Sequence, residues 1–365
     1  MKISRCEFLH LAAYAVALLA ASRTAAAQTN SMRLGRRPFL PLAAAAVALS
    51  SVVAGVDIVA AQDWPTRPLT MVVPYTAGGP LDLTARILAP RMSEVLGAQL
   101  IIENVGGAGG MNGVARVAKA AADGYQFVFG DSGTFAANQT LYRAPPYNAG
   151  TDFTAVALVA AQSLVLLARK GFPANNLQEF IAYAKTNQMK MQYGSSGVGS
   201  PPHLACALLN TTVGVHVTHI PYRGSALALQ DLIAGRIDYQ CLGTVAAIPQ
   251  IDSKTVKALA LLTTSRSPSL PTLASAEEQG LTNFDADAWL AFFLPNGTPP
   301  LIVQKLHRAT VTAMDTPAVQ NQLKEVGITV VPPEHRSPEY LQKFVRSEIE
   351  KRAVIIRAGG ISATE

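Results

Sequence analysis

The strongest constraint on this chain is a unit that recurs along it: a short apolar run, a loop of glycine and serine, then apolar residues at helical spacing. Leu69-Thr-Met-Val-Val-Pro74 leads into Tyr75-Thr-Ala-Gly-Gly-Pro80, and Leu81, Leu88, Met92, Val95 and Leu96 follow at helical intervals. An apolar run without polar alternation suits a strand covered on both faces. Pro80 suits the first helical position, where a missing N–H costs nothing.

The unit then repeats. Leu100–Ile102 reads as a strand, Gly106–Gly110 as a glycine turn and Met111–Ala122 as a helix of small residues. Tyr125–Phe129 is a third strand, ending in Gly130-Asp131-Ser132-Gly133-Thr134. A second set contains helices over 177–186, 203–211, 226–234 and 245–251, with strands over 191–193, 217–220, 237–241 and 256–262. Short loops between alternating strands and helices predict mostly parallel sheets with helices on both faces. Two apolar runs, Val156–Ala168 and Phe284–Leu294, are too long for ordinary strands and are expected to cross between two domains. Three helices, over 300–314, 317–326 and 338–358, close the chain. A length of 365 residues also suits about two domains of roughly 100–200 residues.

Three loops share one design, a strand end followed by glycine and serine and then a helix: Tyr75–Asp82, Ser132–Thr134 and Ser195–His203. First-turn N–H groups lack intrahelical partners, and the helix dipole adds roughly half a positive charge. Such a junction can accept a carboxylate or phosphate directly. One such loop is ordinary capping chemistry; three in one α/β chain point to an anion site beyond the carboxyl ends of the strands. Arg86 and Arg116 fall inside predicted helices, and Arg223 lies in a turn, so no arginine clamp is evident.

The chain begins with two consecutive export leaders. Residues 1–27 have a basic start, an apolar stretch and Ala25-Ala26-Ala27; residues 32–61 repeat the pattern and end in Val59-Ala60-Ala61. Arg36-Arg37-Pro38-Phe39-Leu40 is similar to a twin-arginine signal. Cleavage near Gln62 and a periplasmic location are expected. Of the 30 basic and 24 acidic side chains, six and two lie in residues 1–62, leaving 24 against 22 for the rest. The basicity therefore belongs to the leader, and nucleic-acid binding is not expected. Beyond residue 62 no stretch is apolar for the roughly 20 residues a membrane helix needs. Cys206 and Cys241 have no metal-like spacing and are read as two buried thiols rather than a disulfide.

The rival reading is a serine-dependent hydrolase built on Ser132, because Gly130-Asp131-Ser132-Gly133 matches a protease nucleophile segment. That family is all-β, and the G-x-S-x-G elbow is absent at this loop. No histidine has a context marking it as a general base, no Walker loop is present, and no cluster has metal spacing. No enzyme activity, cofactor or metal is expected.

The loops carry a family resemblance. Pro74-Tyr-Thr-Ala-Gly-Gly-Pro-Leu-Asp82, Glu103-Asn104 with Gly106–Gly110, Ala118–Tyr125, Gly199-Ser-Pro-Pro-His-Leu-Ala205, Pro221-Tyr-Arg-Gly224, Ser267-Pro268 with Leu270-Pro271, and Trp289 with Pro295–Pro299 together resemble the Bug family of periplasmic solute receptors, which serve tripartite tricarboxylate transporters. The resemblance runs from Trp64 nearly to the C-terminus. It implies an α/β type II periplasmic-binding-protein fold, two doubly wound domains joined by two crossing strands that close like a Venus flytrap. Domain 1 is expected over 63–162 and 284–365, domain 2 over 163–283. The implied ligand is a small carboxylate held by backbone amides and hydroxyls of two facing loops. Carried over, the first loop is Tyr75, Ala77, Gly78, Gly79 and Asp82; the facing loop is Ser195, Ser196, Gly197, Ser200 and His203; Ser132, Thr134, Tyr222 and Trp289 are pocket walls. The implied partners are membrane permease subunits, with the receptor itself a monomer.

This chain departs from the family pattern at Tyr75, where Phe is common, and at Leu242-Gly243-Thr244, where a polar pair is usual. With Pro201-Pro202 these changes imply a stiffer, more apolar side, and a ligand with an apolar or aromatic body beyond its carboxylate.

Overall fold

The computed structural model describes residues 63–358, 360 and 361. The two leaders, with Cys6, lie outside the described residues. In chain order the elements are β1 (Leu69–Val73), α1 (Pro80–Leu96), β2 (Leu100–Asn104), α2 (Met111–Ala118), β3 (Gln126–Asp131), α3 (Asn138–Leu141), β4 (Phe153–Gln162), β5 (Leu164–Arg169), α4 (Leu177–Asn187), β6 (Gln192–Ser195), α5 (Pro201–Val213), β7 (Thr218–Pro221), α6 (Ser225–Ile233), β8 (Tyr239–Gly243), α7 (Thr244–Asp252), β9 (Val256–Leu261), β10 (Ala288–Pro295), α8 (Pro300–Asp315), α9 (Pro317–Glu325), β11 (Ile328–Val330) and α10 (Pro338–Ala358). A π-helical turn, Gly133–Ala137, links β3 to α3.

The strands form two sheets. The first has the order β11-β4-β10-β3-β1-β2 and the second β7-β6-β8-β5-β9. In the first, β1 pairs in parallel with β2 and β3, as strand–helix–strand crossovers require. The strands that carry the chain between lobes break that rule: β10 is antiparallel to both β3 and β4, and β5 is antiparallel to β8 and β9. They enter each sheet from the opposite lobe, so their direction is reversed.

The apolar run expected to cross does so within one residue. β4 ends at Gln162 in the first sheet, β5 begins at Leu164 in the second, and Ser163 alone lies between. The return is as short: the Ala286 amide still bonds the Leu262 carbonyl beside the second sheet (3.0 Å), while Ala288 already pairs with Gln162 in the first.

Each lobe has its own core. In the first, Phe135 stacks on Phe293 (3.7 Å between centroids) and Phe129 on Phe292 (4.4 Å), tying β3, its π-helical turn and β10 together. Such pairs add about 0.5–1.5 kcal/mol beyond their buried area. In the second, Phe180 meets Tyr239 edge-on, and the Tyr239 hydroxyl donates to Asn210 of α5 (2.7 Å). The expectation of two free thiols is corrected here: Cys206 of α5 and Cys241 of β8 are disulfide-bonded, their Cα atoms 5.7 Å apart. Helix α5 packs directly over β8, which brings together two cysteines that their spacing in the sequence could not relate.

Candidate functional site

Between the sheets lies a narrow cavity of about 30 Å³. The first lobe lines it with Tyr75, the start of α1 (Gly79, Pro80, Leu81), the last residues of β3 and β4 (Asp131, Gln162) and the beginning of β10 (Ala288, Leu290). The second lobe supplies Leu164, Ser196, Pro201, Pro202, Ser225 and Gly243. No Lys or Arg is among them.

Four helices begin at or beside this cavity, and none has a side chain capping its first turn. Their donors are unequal. Helix α5 opens with Pro201-Pro202, and proline has no N–H, so two of its first-turn donors are absent. Helices α6 and α7 begin without proline, after Gly224 and Gly243. The second lobe's first-turn amides therefore come from α6 and from α7 beyond Thr244, whose own amide donates to the Ser163 carbonyl (3.1 Å), and the first lobe's from α1 beyond Pro80.

The predicted first loop splits into contact and support. Tyr75 and Gly79 line the cavity, whereas Ala77 and Gly78 are exposed. Asp82 is buried and fully occupied: it accepts from the Gly78 amide (2.9 Å), Arg86 Nε (2.9 Å) and Asn104 Nδ2 (3.0 Å). Burial pushes its carboxyl up, but these donors, Arg86 first, hold it below the usual carboxylate range. Asp82 thus shapes the loop and does not line the cavity.

The facing loop behaves alike. Ser196 lines the cavity. Ser195 Oγ accepts from the Gly197 amide (3.0 Å) and bonds His219 Nε2 (2.7 Å), and Ser200 Oγ donates to the Gly197 carbonyl (2.6 Å). His203 accepts from the Gly199 amide at Nδ1 (3.1 Å), its ring 4.4 Å from that of His219. Burial lowers both rings, His203 to about 4 and His219 to about 3 with a further push from His203. These residues fold the loop from behind.

Of the expected walls, Trp289 faces away. Side chains alternate along a strand, so Ala288 and Leu290 of β10 face the cavity and Trp289 faces α10, where Nε1 donates to Glu348 (3.0 Å) beside Phe344. The Tyr222 hydroxyl donates to Asp231 (2.7 Å). Ser132 is buried, and no histidine among the described residues bonds it. Thr134 supports Asp131, whose Oδ1 accepts from the Thr134 amide (2.9 Å) and hydroxyl (2.9 Å).

Three polar lining residues, Asp131, Gln162 and Ser225 at the start of α6, escaped sequence reasoning. Asp131 lies within Gly130-Asp131-Ser132-Gly133, where the sequence pattern signals only a protease-like tetrapeptide. Gln162 was detectable as the first strongly polar residue after six apolar ones in the Val156–Ala168 run. Asp131 is 4% exposed; burial raises its carboxyl, and Tyr75 beside it is raised well above the usual phenol range by burial and by that charge. Gln162 is likewise 4% exposed, and its Nε2 is buried without a hydrogen-bond partner.

At the rim the lobes touch backbone to backbone. A Cβ on Gly109 would overlap the Val198 carbonyl oxygen, and one on Gly224 would overlap Thr76 Oγ1. The Tyr142 hydroxyl also donates across the cleft to the Val198 carbonyl (3.0 Å).

Two α/β lobes joined by two crossings, closed over a cavity lined from both sides, define a bilobal receptor of the periplasmic-binding-protein class. The chain matches the family described as Tripartite tricarboxylate transporter family receptor over residues 84–361, and it belongs to that family. It is 37% identical over 303 residues to the UPF0065 protein in the TAR-I ttuE-ttuC' intergenic region of Agrobacterium vitis, covering 82% of this chain and 87% of that one. The periplasmic binding protein BugD superimposes with a TM-score of 0.79 at 36% identity, covering 82% of this chain and 99% of BugD. MatC from Rhodopseudomonas palustris with bound malate superimposes with a TM-score of 0.78 at 38% identity, covering 80% and 100%. The protein is a solute receptor and not an enzyme, which settles the rival reading of Ser132.

Proposed function

We propose that this receptor captures a small organic carboxylate between its lobes in the periplasm, and hands it to the membrane permease subunits of a tripartite transporter or to a sensory partner. The observation that carries the reading is the cavity itself: uncapped first turns of α1, α6 and α7 reach it from both lobes while no Lys or Arg lines it. Dipoles and amides can hold an anion there without a salt bridge. The lobes are taken as 63–162 with 284–365, and 163–283, and the receptor as a monomer exported by the twin-arginine route. MatC's bound malate supports the carboxylate class.

The apolar part of the lining, Leu81, Leu164, Pro201, Pro202, Ala288 and Leu290, favours a ligand with an apolar body beyond its carboxylate. Calorimetric titration of the protein with benzoate, citrate, malate and aspartate tests this. Benzoate-like acids are expected to bind most tightly; exclusive binding of citrate overturns the apolar-body reading, and no binding by any acid overturns the receptor's carboxylate class. Native mass spectrometry of gently purified protein then identifies a co-purifying acid by mass.

A further inference from the structure

Resting on that reading, we propose that Gln162 and Asp131 set the receptor's specificity: the ligand's carboxylate takes the Gln162 amide, and Asp131 demands a hydrogen-bond donor, a hydroxyl or an ammonium, elsewhere on the same molecule. The two residues end β4 and β3, strands that flank β10 on either side, so they face the cavity from separate positions on its floor.

Gln162 is the unusual group. Its Nε2 is buried and has no partner among the described residues, although it lines the cavity. A buried amide left unpaired carries the full desolvation penalty, which a ligand acceptor placed against it removes. Its carboxamide lies against Gly243, the residue just before α7: a Cβ on Gly243 would overlap Gln162 Oε1 and sit 2.9 Å from Nε2. The amide donor and the first turn of α7 therefore share one corner, and a carboxylate there meets the Gln162 amide and the α7 amides beyond Thr244, whose own N–H donates to the Ser163 carbonyl (3.1 Å).

Asp131 makes the opposite demand. Thr134 donates twice to its Oδ1, Tyr75 and the Gly133 amide are further donors beside the carboxyl, and Asp131 borders the cavity. A second ionised carboxylate on the ligand would meet this one in a cavity with little water, where like charges repel strongly. A hydroxyl or an ammonium would donate to it, the ammonium with a charge-assisted bond. Dicarboxylates are thus selected against, and carboxylates carrying a donor are selected for.

Two ligand series at fixed size test this by calorimetry: butyrate, 4-hydroxybutyrate, 4-aminobutyrate and succinate, then benzoate, 4-hydroxybenzoate and terephthalate. Within at least one series the donor-bearing acid is expected to bind at least tenfold tighter than both the apolar acid and the dicarboxylate. Asp131→Asn, which keeps the oxygen that accepts from Thr134, is expected to shrink the donor-over-dicarboxylate ratio at least tenfold. Gln162→Met is expected to weaken every acid that binds while leaving their order unchanged. Binding in which a dicarboxylate ranks first, or a ratio untouched by Asp131→Asn in a folded variant, overturns the specificity proposal alone. Absence of binding by every acid in both series overturns the carboxylate reading and this proposal with it. Should Asp131→Asn fail to fold, the wild-type ranking decides by itself.

Discussion

Gly224 and Thr76 meet across the cleft so closely that the glycine has no room for a single added carbon: a Cβ would overlap Thr76 Oγ1 and lie 2.8 Å from the Thr76 amide nitrogen. The backbone of Gly224 is extended at φ 175°, a conformation any residue adopts, so the constraint is the contact between lobes and not the local chain. Gly224→Ala should therefore obstruct closure while leaving each lobe's fold intact. The expected outcome is at least a tenfold loss of affinity for the tightest acid in the calorimetric panel, about 1.4 kcal/mol, with the unfolding temperature of the free protein changed by no more than about 2 °C. Affinity equal to wild type would show that the rim contact is dispensable.

Trp289 offers the converse case, because strand alternation turns it toward α10. Trp289→Phe removes the hydrogen bond to Glu348 but keeps the aromatic packing on Phe344. Chemical denaturation should show a loss of about 1–3 kcal/mol, the cost of depriving a buried charged group of one donor, with ligand affinity within twofold of wild type. A large change in affinity at constant stability would place the indole in the cavity after all.

The disulfide predicts a redox dependence of stability. It closes a loop with a sequence separation of 35, for which the chain-entropy account gives about 3–4 kcal/mol. Denaturation with and without dithiothreitol, and of the paired substitution Cys206→Ala with Cys241→Ala, should both show that loss. Superimposable curves would mean that the bond adds nothing to stability.

The paired histidines behind the facing loop predict an acid-side instability. In the unfolded chain both rings take up protons near 6.5; in the folded chain they stay neutral down to about 4 for His203 and about 3 for His219. The unfolded state thus binds more protons across that window, so stability is complete above about 6.5 and falls as the pH drops toward 4. His203→Gln keeps an acceptor for the Gly199 amide and should flatten the fall, measured by urea denaturation at pH 7.5 and 5.0. An equal slope in both proteins would rule out His203 as its source.

The alternation of strands and helices was legible because each buried strand is a short apolar run between turn residues, and the two crossings were legible as runs too long for one strand. Strand β11, only three residues, left no such signal. At the site, local pattern identified the right loops but could not separate cavity contacts from loop supports. Asp82, Ser195 and His203 look like ligand groups in sequence, and only tertiary placement shows their polar atoms turned to Gly78, Gly197 and Gly199. Pro201-Pro202 suggested stiffness, yet its larger effect, removal of two N–H donors, becomes informative only once the neighbouring starts of α6 and α7 are seen. Cys206 and Cys241 required the packing of α5 on β8.

The single-residue passage at Ser163 has a mechanical consequence. Rotation about an axis displaces each atom in proportion to its distance from that axis, and Gln162 is the residue adjoining Ser163 while Gly224 and Thr76 lie at the rim. As the lobes swing, the floor of the cavity stays almost still and the rim travels farthest. Substitutions at the rim should thus be read out in the rates of ligand entry and escape, and substitutions at Gln162 in which molecule is retained, so that kinetics and selectivity are assigned to opposite ends of one lever.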